Sequence, residues 1–328
     1  MVFYRTYRPQ LISELDKTDV RERISSVLKS KSIPHAFLFS GPRGTGKTST
    51  ARIVARVLNC EKITDGEPCN RCGNCVAIAR GAHMDVVEID AASNRGIDEI
   101  RELRDKIALS PSMGKKKIYI IDEVHMLTRE AFNALLKTLE EPPAHAVFIL
   151  ATTEPYKLPD TIISRCVQIV FSKATDEELN RSLKRVVSGE KIKIADSALS
   201  LIAQSADGSF RDAVKILEQA VSQNLLSDIG IQTITGMRDT KDLIDIILQK
   251  DVKRALTQIE ENQRNGADFI LFLQVLLELC HKRLLNSPED AELKVLTRYL
   301  MRAYSETKTT AIPQLPLELA VIEYCSNK

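Results

Sequence analysis

The sequence predicts an α/β domain built on an open parallel sheet, followed by a small helical domain and an all-helical region. Three observations carry that prediction. Between residues 34 and 172, short and almost wholly apolar segments alternate with charged, helix-patterned ones. A glycine-rich segment, Gly41-Pro-Arg-Gly-Thr-Gly-Lys-Thr48, separates the first apolar segment from a helical run. After Phe171 the strand-like runs stop and capped helical patterns take over.

The strand candidates are Ala36–Ser40, Val86–Asp90, Ile118–Ile121, Val147–Ala151 and Val167–Phe171. Their near-continuous apolarity, rich in β-branched and aromatic residues, suits strands buried on both faces. Ile97, Ile100, Leu103 and Ile107 recur at three- and four-residue spacing with charges between them, which predicts an amphipathic helix. Such alternation implies crossover helices and parallel strands. Downstream, Thr175-Asp-Glu-Glu178 is a capping box that opens a helix, Asp196 is expected to cap another, and Ser209-Phe-Arg-Asp212 opens a third. From about residue 239 the pattern is helical only, with a long apolar-periodic stretch from Asp268 to Leu285 and interruptions at Pro313 and Pro316. The expected domains are therefore 1–172, 173–238 and 239–328.

Composition bounds the function. The 328 residues, 44% apolar, leave room for two or three cores. Lys and Arg number 46 against 44 Asp and Glu, a net charge of +2. That balance excludes strong global attraction to nucleic acid, so DNA binding would need locally placed groups or assembly of several chains. No run approaches the roughly 18 apolar residues of a membrane helix. The opening Met1 to Pro9 lacks the charged-then-apolar pattern of a signal peptide, so a soluble cytoplasmic chain without a membrane partner is expected.

The segment Gly41, Pro42, Arg43, Gly44, Thr45, Gly46, Lys47 and Thr48 matches the phosphate-loop pattern G-x-x-x-x-G-K-[ST]. A bare glycine-rich turn would be the alternative, but the strand before it and the helix after it are what phosphate binding requires. The glycines let backbone N–H groups turn inward around phosphate oxygens, and the positive end of the following helix adds to this. Lys47 is placed to reach the β- and γ-phosphates, and the Thr48 hydroxyl to ligate Mg²⁺. The apolar run Ile118–Ile121 then ends in two acids. Asp122, at the carboxyl end of its strand, is expected to hold Mg²⁺ through water, and Glu123 to orient or deprotonate the attacking water. A nucleoside triphosphate and Mg²⁺ are therefore the expected substrate and cofactor.

Four of seven cysteines lie close together as Cys60, Cys69, Cys72 and Cys75. The odd total and the clustering favour a metal site in a reducing compartment over a disulfide framework. Four thiolates suit a closed, structural Zn²⁺ site. An iron–sulfur cluster is the rival, although the following Cys-Pro of a ferredoxin run is missing. Cys166, Cys280 and Cys325 read as ordinary buried thiols.

With both halves of the site placed, a family resemblance becomes visible. Asp122-Glu-Val-His-Met-Leu127, Asn133-Ala-Leu-Leu-Lys-Thr-Leu-Glu-Glu-Pro-Pro143 and Ala151-Thr-Thr-Glu-Pro155 closely resemble the bacterial DNA polymerase III gamma/tau family of AAA+ clamp-loader ATPases. So do Leu158-Pro-Asp-Thr-Ile-Ile-Ser-Arg-Cys166 and Gly208-Ser-Phe-Arg-Asp-Ala213. The likeness runs in order from about Tyr4 to Ala220. It implies an α/β P-loop NTPase (AAA+) domain over 1–172 with a zinc insert at 60–75, a helical lid over 173–238, and an all-α collar over 239–328.

The resemblance also implies roles. Thr153 looks like the sensor-1 residue, whose hydroxyl would bond the γ-phosphate or the lytic water. Arg165 looks like an arginine finger supplied in trans to a neighbouring subunit, where a guanidinium neutralises charge on the transferred phosphoryl group. Arg211 looks like the sensor-2 residue of the lid. A cation in a helix's first turn opposes the helix dipole, which favours an external anion such as ATP. Tyr4 to Gln10, with Arg8 and Pro9, resembles the family's opening beside the adenine base. Soon after, the family's Val-Gly-Gln is replaced by Leu15-Asp-Lys-Thr18, a change that bears on base recognition and not on phosphate chemistry.

As partners the resemblance implies other clamp-loader subunits in a hetero-oligomeric ring, the sliding clamp, and primer–template DNA contacted through its backbone. Arg95 and Thr161 are candidates for that backbone contact, with a plain surface position as the alternative for each. His125 is read as packing. The expected function is an ATPase motor subunit that loads the clamp, with no polymerase chemistry in this chain. A non-catalytic AAA+ scaffold and a zinc-bearing nucleoside kinase are the rivals. Intact Lys47, Asp122, Glu123 and Arg165 argue against the first, and Glu123 with Ser164-Arg-Cys166 against the second.

Overall fold

Both faces of a five-stranded sheet are covered, as the apolar strands require. The computed structural model describes residues 2–30, 32–93, 107, 109–235, 237–264 and 267–326. The amphipathic helix expected around Ile97, Ile100 and Leu103, and the DNA candidate Arg95, lie outside the described residues. The chain divides into two compact units, Met1–Lys193 with Ile202–Glu218, and Ile194–Leu201 with Gln219–Lys328.

In the first unit the strands are β1 (Ala36–Ser40), β2 (Val86–Asp90), β3 (Lys117–Asp122), β4 (Ala146–Thr152) and β5 (Val167–Val170). Their order is β2-β3-β4-β1-β5 and every pairing is parallel. Alternate residues of each strand enter opposite cores. Phe37, Phe39, Ile118, Ile120, Val147 and Ile149 pack on one face. Two helices cover it, α2 (Thr18–Leu28) through Val20 and Ile24, and α3 (Lys47–Asn59) through Ile53, Val54 and Val57. Leu38, Tyr119, Ile121, Phe148 and Leu150 point to the other face, against Ala131, Phe132, Leu135 and Leu139 of α5 (Arg129–Glu140). Tyr119 stacks on Phe148 there, with centroids 5.5 Å apart. Helices α1 (Phe3–Thr6), α4 (Gly73–Ala79) and α6 (Asp160–Ile163) are short and belong to connections.

Local signals account for the helices that follow. Helix α7 (Asp176–Glu190) starts at the capping box read from Thr175 and Glu178, with both halves of the box formed. Helix α8 (Asp196–Ser205) contains Asp196 in its first turn, so that residue is not the cap itself. Helix α9 (Phe210–Ser222) is preceded by Ser209, whose Oγ accepts from Asp212 N at 3.2 Å. In the second unit, α10 (Asp228–Thr235), α11 (Met237–Leu248), α12 (Val252–Arg264), α13 (Phe269–Asn286), α14 (Ala291–Thr307) and α15 (Leu315–Ser326) follow one another. Ile244, Ile247, Ile259, Leu273, Leu276, Leu296, Leu300 and Val321 form the common core of α11 to α15. None of the described helices is long and apolar enough to cross a membrane.

Phe148 has no exposed surface and joins the stack on Tyr119 in the middle strand. Phe148→Ala is expected to cost about 3–5 kcal/mol, read as a lower urea midpoint of the sheet-bearing unit.

Candidate functional site

Three strand tips stand side by side at the carboxyl edge of the sheet, in the order β1, β4, β3. Open α/β sheets bind ligands at this edge. The phosphate loop leaves β1 at Ser40. Gly41 N donates to Thr152 O of β4 at 3.1 Å. A Cβ on Gly41, whose φ is +144°, would lie 1.9 Å from Phe171 O, so the loop can only turn here on glycine. Gly44 has φ +79°, and a Cβ there would lie 2.0 Å from Ser209 Oγ. Phe210 N also donates to Gly44 O at 3.1 Å, which ties the loop to the start of α9.

Lys47 is the first residue of α3 and only 6% exposed. Its Nζ donates to Gly41 O at 2.6 Å and Pro42 O at 2.8 Å. Burial pushes the ammonium pKa down, and the carboxylates of Glu123 and Asp122 oppose that shift. Thr48 Oγ1 donates to Asp122 Oδ2 at 2.6 Å. Glu123 follows β3 in a left-handed conformation, with φ 48°. Its Oε2 accepts from Thr153 Oγ1 at 2.9 Å and Thr153 N at 3.3 Å.

A cavity of about 770 Å³ opens over these tips. Of the residues expected from sequence, Arg8, Pro9, Arg43, Gly44, Thr45, Gly46, Lys47, Thr48, Asp122, Glu123, Thr153 and Arg211 line it. Gly41 and Pro42 do not line it but offer their carbonyls to Lys47. Arg165 is not part of its wall. Its guanidinium pairs with Glu140 at 2.7 Å and donates to Thr161 O at 2.7 Å. Thr161 itself is exposed in α6.

Sequence reasoning missed part of the wall. Phe210 and Val214 line the cavity beside Arg211, and their four-residue spacing on α9 was a usable signal. Ser182 is a further such residue, whereas Leu15, Asp16 and Lys17, which also line the cavity, belong to the segment expected to bear on base recognition. In the segment that departs from the family, Lys17 is buried and its Nζ lies 3.2 Å from Glu178 Oε2. Asp16 pairs with Arg185. Burial raises the Asp16 pKa, and the Arg185 guanidinium opposes the rise. These partners lie 161 and 169 residues away, so no local pattern announces them.

The cysteine cluster sits at the far end of α3. Ligand atoms of Cys60, Cys69, Cys72 and Cys75 all lie within 4.8 Å of one another. Backbone N–H groups of Cys69, Cys72 and Cys75 donate to the sulfurs of Cys60, Cys69 and Cys72 at 3.3, 3.4 and 3.5 Å. Hydrogen bonds from the Arg71 and Cys72 backbone lower the Cys69 thiol to about 6, which favours a thiolate, while burial pushes Cys75 up. A tetrahedron with Zn–S near 2.3 Å has sulfurs about 3.8 Å apart, so these four fit one zinc ion. A multi-iron cluster is bulkier and would spread its ligands further.

This sheet order, with a phosphate loop after β1 and paired acids at the end of β3, defines a P-loop NTPase of the AAA+ class. Family models described as "DNA polymerase III, delta subunit" and "DNA polymerase III clamp loader subunit, ATPase lid domain" match residues 17–175 and 178–224. The chain belongs to the bacterial DNA polymerase III gamma/tau clamp-loader family. It is 39% identical to DNA polymerase III subunit gamma of Buchnera aphidicola subsp. Baizongia pistaciae, across 86% of this chain and 78% of that one. It is 39% identical to subunit tau of Bacillus subtilis, across 99% of this chain and 63% of the relative. For subunit tau of Escherichia coli the identity is 39%, and the matched region spans 45% of the relative. Among solved structures, the Thermotoga maritima RuvB Holliday junction branch migration motor superposes with a TM-score of 0.52 at 18% identity, covering 74% of this chain and 79% of that one. That likeness concerns the fold alone.

The cysteine geometry predicts a colourless protein with about one zinc per chain by elemental analysis. Cys69→Ser is expected to lose that zinc; iron with visible absorption would instead identify an iron–sulfur cluster.

Proposed function

We propose that this chain is the ATP-hydrolysing motor subunit of the DNA polymerase III clamp loader, which places the sliding clamp on primer–template DNA. The observation that carries the reading is the 2.6 Å contact between Thr48 Oγ1 of the phosphate loop and Asp122 Oδ2 of β3, with Glu123 next in chain. Nucleotide-binding and hydrolytic groups thus share one cavity.

In this reading the inward N–H groups of the loop and Lys47 grip the β- and γ-phosphates of ATP. Lys47 exchanges two carbonyl partners for phosphate oxygens, which are stronger acceptors. Thr48 and Asp122 are the hydroxyl and carboxylate that fit Mg²⁺, and the ion would neutralise charge on the β- and γ-phosphate oxygens. Glu123 orients or deprotonates the attacking water. Thr153, bonded to Glu123, orients the same water or the γ-phosphate. Arg211, on α9, reads the γ-phosphate, so that nucleotide sets the position of the helical segment bearing it. Arg165, outside the cavity of its own chain, completes the neighbouring subunit's site in trans. Arg8 and Pro9 border the base with the Leu15–Lys17 segment. Zinc on Cys60, Cys69, Cys72 and Cys75 is structural.

The division into an α/β domain over 1–172, a lid over 173–238 and a collar over 239–328 is part of this proposal. So are the ring of clamp-loader subunits, backbone contacts to DNA at Arg95 and Thr161, and a cytoplasmic location. Hydrolysis, triggered when primer–template DNA aligns Arg165 with the adjacent ATP, releases clamp and DNA. A non-catalytic scaffold would bind nucleotide but show no turnover in the assembled complex.

Two substitutions test the roles. Lys47→Ala is expected to abolish nucleotide binding, measured by titration with a fluorescent ATP analogue. Arg165→Ala is expected to bind nucleotide normally yet lose about 10³-fold or more of the clamp- and primer-stimulated turnover of the reconstituted complex. Normal stimulated turnover in that variant would remove the trans-acting role.

A further inference from the structure

Glu123 does not stand alone behind the cavity. His125 lies two residues on, in the 3-10 turn Val124–Met126. Its side chain is 5% exposed and is not part of the cavity wall. The expectation of simple packing misses what the ring does. Nδ1 lies 2.9 Å from Thr152 Oγ1 and 3.5 Å from Glu123 Oε2, and Nε2 lies 3.0 Å from Glu154 Oε2. Thr152 and Glu154 flank Thr153, whose N and Oγ1 both donate to Glu123 Oε2. The imidazole therefore closes a circuit between the turn that carries Glu123 and the segment that carries Thr153.

The partners of the two ring nitrogens fix the ring's orientation. Lys157 and then Tyr156 hold the Glu154 carboxyl below the usual carboxylate range, so it is ionised and accepts a proton-bearing Nε2. Glu154 N donates to Thr152 Oγ1 at 3.0 Å, so the hydroxyl that faces Nδ1 is itself tied to the backbone of Glu154. The ring thus bridges Thr152 and Glu154 through its two nitrogens. The circuit reaches the surface through Glu154, which accepts from Tyr156 Oη and Lys157 Nζ.

We infer that His125 is a positioning residue for hydrolysis: with Glu154 as its anchor, it locks the Glu123 turn to the Thr152–Glu154 segment, so that base and hydroxyl keep one common orientation. The inference rests on the ATPase reading above. A misplaced base lowers the chemical step without loosening nucleotide, since the phosphate contacts lie elsewhere.

The test is single-turnover ATP hydrolysis by the full chain assembled with its clamp-loader partners, alongside nucleotide affinity and thermal unfolding. His125→Ala is expected to slow hydrolysis by about tenfold to a hundredfold while nucleotide affinity stays within about twofold. Glu154→Ala should show the same split. Glu154→Gln, which keeps an acceptor for Nε2–H, should recover most of the rate. The double variant His125→Ala/Glu154→Ala should be no slower than the worse single variant, because both break one circuit. Hydrolysis within about twofold of wild type in His125→Ala overturns the inference. So do additive losses in the double variant, or an affinity loss that parallels the rate. Two controls separate the readings: no turnover by the assembled wild type sinks the ATPase reading, whereas Glu123→Gln hydrolysing ATP as fast as wild type removes Glu123 as the base and takes this inference with it.

Discussion

The insertion of β4 between β1 and β3 is the constraint on which the rest of the site depends. Neighbouring strands lie about 4.8 Å apart, so the phosphate-loop strand and the acid-bearing strand are held about 10 Å apart across β4. That gap lets Thr48, one residue into α3, reach Asp122, and it puts Thr152 and Thr153 between loop and acids. All seven residues of β4 are buried, which is why it sits in the middle of the sheet and not at an edge. The same pairing anchors the loop, because Gly41 N bonds the last carbonyl of β4.

Lys47, Asp122 and Glu123 are each bonded to a near neighbour in the cavity, and those are bonds a nucleotide and its metal would compete for. Lys47 holds the loop's own carbonyls, Thr48 holds Asp122, and Thr153 holds Glu123. A buried ammonium without such partners would carry a large desolvation cost. The site is thus a hydrogen-bonded set in which the Lys47 ammonium remains available to stronger, charged acceptors.

Helix α3 is anchored at both ends, which links the cysteine cluster to the phosphate-loop segment. Its first turn belongs to the loop. Its C-cap is Cys60, and Asn74 Nδ2 of α4 donates to Asn59 O at 3.0 Å. Arg56, buried near the same end, donates to Asn70 Oδ1 at 2.8 Å and Gln10 Oε1 at 2.6 Å. A metal that fixed the four sulfurs would therefore hold the far end of the helix whose near end presents Lys47 and Thr48.

Much of this was legible in the chain because its causes are local. The strands read as apolar runs because both faces of the sheet are covered. Gly41, Gly44 and Gly46 read as a phosphate loop because positive φ demands them. The four cysteines read as a metal site because they fall within sixteen consecutive positions, Cys60 to Cys75. Thr153, Arg165 and Arg211 were found through family resemblance, since an isolated threonine or arginine carries no distinguishing pattern. Sequence alone thus determined which residues make up the phosphate-loop motif, the paired acids and the cysteine cluster. Tertiary structure decided which side chains hold them in place: Lys17 on Glu178, Asp16 on Arg185, His125 between Thr152 and Glu154. Such contacts join segments far apart in the chain, and their energy depends on burial and distance, neither of which is written into residue order.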